Sequence, residues 1–96
     1  QKARERSKLE TIIFLGGSQG AKRVNDFAME VVKSGRYRVI HQTGERDFER
    51  CQNFYRENGF LDRVEFFKFD NNLVDRMAEA DLAVSRAGAS TLFELV

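Results

Sequence analysis

The sequence predicts an α/β fold, a Rossmann-like parallel sheet with helices on both faces. Three observations predict it. Short apolar runs alternate four times with helical stripes over 96 residues, which is the signature of βα units building a parallel sheet. Glycine-bearing turns follow the first and fourth runs. Hydrophobic residues make up 42% of the chain and nine are Phe, enough apolar material for a packed core and too much for a disordered segment.

Taken in order, residues 1–10 carry Lys2, Arg4, Arg6 and Lys8 around Glu5 with little apolar content, and read as a linker or solvated lead-in. The folded unit is expected over 11–96. Ile12-Ile13-Phe14-Leu15, closed by Gly16-Gly17, is a strand buried on both faces. Val24, Phe27, Ala28, Val31 and Val32 form the stripe of an amphipathic helix that Gly35 ends. Tyr37 to Gln42 gives a second strand, and Phe48, Cys51 and Tyr55 mark a helix stopping near Asn58-Gly59. Val64 to Phe69 is the third strand. Asn72 is placed to cap a helix bearing Leu73, Met77 and Ala78. Asp81 to Ser85 is the fourth strand, and a fourth helix is expected from Ser90.

Charge and composition exclude several classes. Sixteen Lys and Arg stand against fifteen Asp and Glu, a net charge of +1, without the basic excess of a nucleic-acid binder. One cysteine and one histidine permit neither an internal disulfide nor a structural zinc site. No apolar run approaches the ~20 residues that span a bilayer, so the chain reads as cytoplasmic. The start at Gln1, the end at Val96 within a helical pattern and the lack of proline suggest a piece of a larger protein.

In the doubly wound order 3-2-1-4, the first and fourth strands are neighbours where the winding reverses, and ligands bind at the carboxyl ends there. Gly16-Gly17-Ser18-Gln19-Gly20 leaves strand one and Arg86-Ala87-Gly88-Ala89-Ser90-Thr91 leaves strand four, so the loops are expected to face each other. Glycine turns entering helices present N–H groups and dipole charge to a phosphate; they also serve as ordinary strand-to-helix turns. The first loop is not G-x-G-x-x-G and no acid ends strand two, which disfavours NAD; Lys22 stands too close to Gly20 for a P-loop. Glu94, three residues after Thr91, fits either a ribose diol or a capping box. His41 and Cys51 read as structural. Arg86 suits a phosphate or a neighbouring carboxylate, and Phe69, at the end of the crowded Phe66-Phe67 strand, is placed to border a base.

These residues, Gly16-Gly17-Ser18-Gln19-Gly20-Ala21, His41-Gln42-Thr43-Gly44 and Ser85-Arg86-Ala87-Gly88-Ala89-Ser90-Thr91 with Glu94, closely resemble the C-terminal domain of the MurG family, over about Thr11 to Val96. The family comprises GT-B glycosyltransferases that move N-acetylglucosamine from UDP onto undecaprenyl-diphosphate-linked muramoyl-pentapeptide, making lipid II for the cell wall. The resemblance implies that Ser18, with the backbone of its loop at Gly17, contacts the donor diphosphate, and that Ala89, Ser90 and Thr91 supply backbone and hydroxyl groups at the start of helix four. It implies that Glu94 holds the ribose and that Phe69-Asp70 offers backbone groups to uracil. Where the family has an aliphatic residue and two acids after the Phe, this chain has Asp70-Asn71-Asn72. The implied reaction is inverting and uses neither metal nor cofactor. The acceptor would be held by a separate N-terminal domain, so that no catalytic residue is expected here. The parent would be cytoplasmic and peripheral on the membrane, and would not bind nucleic acid. Two alternatives are a stand-alone nucleotide- or phosphate-binding module without enzymatic activity and a half-enzyme that works with an acceptor subunit.

Overall fold

The computed structural model describes residues 9–16, 22–87 and 90–95, with 86–87 and 90–93 described as main chain. Strands β1 (Thr11–Leu15), β2 (Arg38–Gln42), β3 (Val64–Phe67), β4 (Leu82–Ala87) and β5 (Ser90–Leu95) form one sheet in the order β3-β2-β1-β4-β5. β1 pairs in parallel with both β2 and β4, and β2 with β3. The first four strands therefore take the expected doubly wound order. Helices α1 (Lys22–Ser34), α2 (Phe48–Glu57) and α3 (Leu73–Ala78) make the connections.

Strand alternation sends Ile12, Phe14, Val39, Val64 and Val84 to one face, where they pack with Val24, Ala28, Met29 and Val32 of α1 and Cys51 and Tyr55 of α2. The opposite face carries Ile13, Ile40 and Ala83 with Ala80, against which Leu15, Phe67, Leu73 and Met77 pack. β1 is buried on both faces, as its unbroken apolar run requires. Gly35 and Gly59 close α1 and α2 at φ of 69° and 73°, the left-handed region that glycine enters without a Cβ clash.

Four expectations are corrected. Residues 90–95 form β5, antiparallel to β4, in place of a fourth helix. Across six residues a helix closes only two i→i−4 bonds, whereas pairing along β4 gives both strands a ladder. The capping-box reading of Thr91 and Glu94 falls with the helix. The buried stripe of α1 is Val24, Asn25, Ala28, Met29 and Val32, with Phe27 37% exposed. Its ring still meets Phe14 edge-on at 5.6 Å. β3 stops at Phe67, leaving Phe69 outside the sheet and 57% exposed. Finally, Asn72 precedes α3 without a side-chain cap bond; the Asp70 carboxylate accepts the Asn72 N–H at 2.8 Å instead.

Candidate functional site

The parallel pairing of β1 with β4 sets Leu15 opposite Ser85, so both strands end on the same edge of the sheet. Gly16 follows the end of β1, and Arg86-Ala87 are the last two residues of β4. Of the expected ligand residues, Gly17, Ser18 and Ala89 lie outside the described residues. Arg86 pairs with Thr91, and Ala87 with Ser90, in the β4–β5 ladder. These pairs stand at the carboxyl end of β4, where the loop was expected. Glu94 does not join them: opposite Ala83, near the start of β4, it is exposed and about four strand residues, roughly 13 Å, from the Ala87–Ser90 pair.

What holds the edge in place is a buried polar chain beneath Gly16. The Gly16 N–H donates to Gln42 C=O at 2.8 Å. A Cβ on Gly16 would collide with the Asn25 carboxamide oxygen and stand 3.2 Å from that carbonyl. The Asn25 amide nitrogen donates to Thr43 C=O at 3.2 Å and to the Asp47 carboxylate at 2.9 Å. That fixes its carboxamide oxygen as an acceptor, and His41 Nε2 must donate to it across 2.7 Å. Nδ1 is then the acceptor for the Tyr55 hydroxyl at 2.8 Å. His41 is thus a neutral Nε2–H tautomer. Burial, opposed by the Asp47 charge, pushes its pKa down to about 3.

Outward, the chain reaches the surface through charge. Arg50 bonds Asp47 at 2.6 Å and Asp26 of α1 at 2.8 Å, and holds the Asp47 carboxyl below its ordinary range. Lys22, at the start of α1, pairs with Asp26 at 2.9 Å. The network ties the first turn of α1 to the ends of β1 and β2 and to α2, fixing the frame from which the first glycine loop springs. His41 is structural, as expected. Cys51 is fully buried, and burial pushes its thiol up to about 12, which leaves no thiolate for nucleophilic chemistry.

Asn25, Asp47 and Tyr55 escaped the sequence reading as members of this site. One signal was present for Asn25: it begins the i, i+3, i+4, i+7 pattern Asn25-Ala28-Met29-Val32, and a polar residue on an apolar stripe needs a buried partner.

At the third strand end, Phe69 is exposed and the Asp70 carboxylate is occupied by Asn72 N–H and by Arg76 Nε at 2.9 Å. The Asn72 N–H and then Arg76 hold the Asp70 carboxyl below its ordinary range. Any recognition there falls to the main chain. Two surface grooves lie elsewhere. One of about 400 Å³ is lined by Glu45, Phe48, Gln52 and Lys68, and one of about 340 Å³ by Arg38, Leu61 and Arg63. Neither contains an expected site residue. Among the described residues there is no cluster of metal-ligating side chains, and no helix is long and apolar enough to cross a membrane.

Residues 11–96 match the model of the glycosyltransferase family 28 C-terminal domain. Three relatives carry the description UDP-N-acetylglucosamine–N-acetylmuramyl-(pentapeptide) pyrophosphoryl-undecaprenol N-acetylglucosamine transferase. The protein from Nitratiruptor sp. is 54% identical over 96% of this chain, that from Helicobacter hepaticus 49% over 97%, and that from Helicobacter pylori strain G27 48% over 97%. The chain spans only 27–28% of the length of these relatives. No solved structure matches it. With the family model covering the doubly wound sheet from β1 through β5, the chain belongs to the glycosyltransferase family 28 C-terminal domain family.

Proposed function

We propose that this chain is the UDP-N-acetylglucosamine-binding part of an inverting N-acetylglucosaminyltransferase that makes lipid II for peptidoglycan. The observation that carries the reading is the parallel β1–β4 pairing at the reversal of winding, which brings to one edge the ends of the two strands that the glycine-bearing segments follow in sequence. The relatives' descriptions and the family match support it.

In this reading residues 11–96 are a partial donor domain and residues 1–10 its lead-in. Gly17 and Ser18 contact the donor diphosphate from one loop. Arg86, Ala89, Ser90 and Thr91 face them from the other. Phe69 borders the uracil, whose edge meets the main chain at Phe69 and Asp70. Glu94, which the resemblance assigned to the ribose, stands in β5 opposite Ala83, about four strand residues from that edge, and takes no part in this reading.

The chemistry is displacement of UDP from the anomeric carbon by an acceptor hydroxyl, and the share of this chain is to stabilise the departing diphosphate with preorganised N–H donors. The acceptor, an undecaprenyl-diphosphate-linked muramoyl-pentapeptide, is bound by a domain beyond this chain, and the whole enzyme is cytoplasmic and peripheral on the membrane. No metal or cofactor takes part.

Calorimetric titration tests the donor assignment. Saturable binding of UDP-N-acetylglucosamine with no heat from NAD is expected. A folded chain that binds NAD, or binds neither nucleotide, contradicts the reading.

A further inference from the structure

Helix α3 has six residues and none of them is buried, so packing alone does not fix the segment that precedes it. Arg76 does. Its Nε donates to Asp70 at 2.9 Å, its Nη1 to Glu65 of β3 at 2.8 Å, and its guanidinium lies over the Phe67 ring, 5.3 Å from the centroid. Glu65 is held in turn by Arg38 of β2 at 3.2 Å. The clamp thus runs from the sheet, through a planar fork that lysine could not reproduce, to the residue after Phe69.

The Asp70 carboxylate is used on both oxygens, one by Arg76 and one by the Asn72 N–H. By contrast, no hydrogen bond ties the main-chain N–H groups of Phe69, Asp70 and Asn71 to the rest of the described chain. A uracil edge presents an N–H donor flanked by carbonyl acceptors, and cytosine reverses part of that pattern. A main chain distinguishes them only if its own donor and acceptor are held still.

We propose that Arg76 is the positioning residue of base recognition, clamping Asp70 so that the Phe69–Asn71 main chain stands ready for a uracil edge. The proposal rests on the donor-site reading above and adds to it the residue that sets the choice of base.

The test measures dissociation constants of UDP, CDP and inorganic pyrophosphate for the chain and for Arg76→Gln. Loss of one charge-assisted hydrogen bond is expected to weaken UDP about tenfold. CDP and pyrophosphate should change little, so that the UDP preference collapses. Asp70→Asn, which keeps an oxygen for the Asn72 N–H, should move the preference in the same direction by a smaller factor, and it serves alone if Arg76→Gln does not fold. Lys33→Gln, which breaks an exposed ion pair on α1 outside the clamp, should leave the preference intact. A role confined to stability would weaken all three ligands together. An unchanged UDP/CDP ratio in the folded Arg76→Gln or Asp70→Asn variant overturns the proposal and leaves the donor reading standing. Failure of the unchanged chain to bind UDP overturns both.

Discussion

On one face of the sheet Phe14, Val39, His41 and Val84 are fully covered by two helices, while on the other Ile13, Ile40 and Ala83 meet a six-residue helix with no buried residue of its own. The polar groups buried on the first face are paired one by one: Tyr55 to His41, His41 to Asn25, Asn25 to Thr43 and Asp47. The second is laced at its surface by Arg38, Glu65, Arg76, Glu79 and Asp70. The difference teaches where each fixes a part of the site. Buried hydrogen bonds hold the frame beside Gly16, and partly exposed ion pairs hold the segment around Asp70. The first kind is costly to break and indifferent to salt; the second is cheap to break and salt-sensitive.

The largest effect should come from Gly16→Ala or Asn25→Ala. The first drives a methyl group into the Asn25 carboxamide; the second strands the His41 N–H and the Thr43 carbonyl without partners. Each should destabilise the chain by about 3 kcal/mol, since buried unsatisfied groups cost ~1–3 kcal/mol apiece. Urea denaturation would read this, and a loss below half that value would mean that the network is not what holds the loop.

Acid should attack the same face next. His41 has its pKa lowered from 6.5 to about 3 by burial, so the unfolded chain binds a proton that the folded chain refuses. The stabilisation is complete above pH 6.5 and is lost as pH falls toward 3, at up to ~1.4 kcal/mol per pH unit. The Asp47 carboxyl is lowered from 3.8, and its contribution is lost only below that value. Between pH 6 and 4.5 the slope should therefore belong to His41 and flatten in His41→Gln. A slope that persists in the variant assigns it to other groups.

Tyr55→Phe leaves the His41 Nδ1 without its donor and should cost about 1–2 kcal/mol. Cys51, fully buried on the same helix, provides the readout: alkylation should be slow in the folded chain and should quicken in step with global unfolding. On the other face, Arg38→Gln removes two pairs at 3.2 Å between side chains about half exposed, and should cost less than ~1 kcal/mol, an effect that high salt mimics. A loss as large as that of Asn25→Ala would erase the contrast between the faces.

Much of the frame was legible in the sequence because it rests on periodicity. The runs at Ile12, Val39, Val64 and Leu82 alternate with helices, and chirality leaves few ways to wind them. The helix expected at Ser90 was not, because Thr91, Leu92 and Phe93 suit either state in so short a stretch, and the open edge of β4 decides for the strand. Asn25 was hidden for a different reason. A polar residue in a helix usually faces water, and only the fold brings His41 and Thr43 to it. Asp70 likewise takes its role from Arg76, six residues on, through a turn whose geometry the sequence does not specify. Pairings set by tertiary contact, rather than by period or turn chemistry, were the part that sequence left dark.

The most direct test of the donor site is a residue-resolved NMR titration with UDP-N-acetylglucosamine, with NAD as the control. The account predicts shifts clustered at 16–21, 69–71 and 86–91 with the sugar nucleotide and none with NAD. Shifts centred on the groove lined by Phe48 and Lys68, or no shifts in a folded chain, would contradict it.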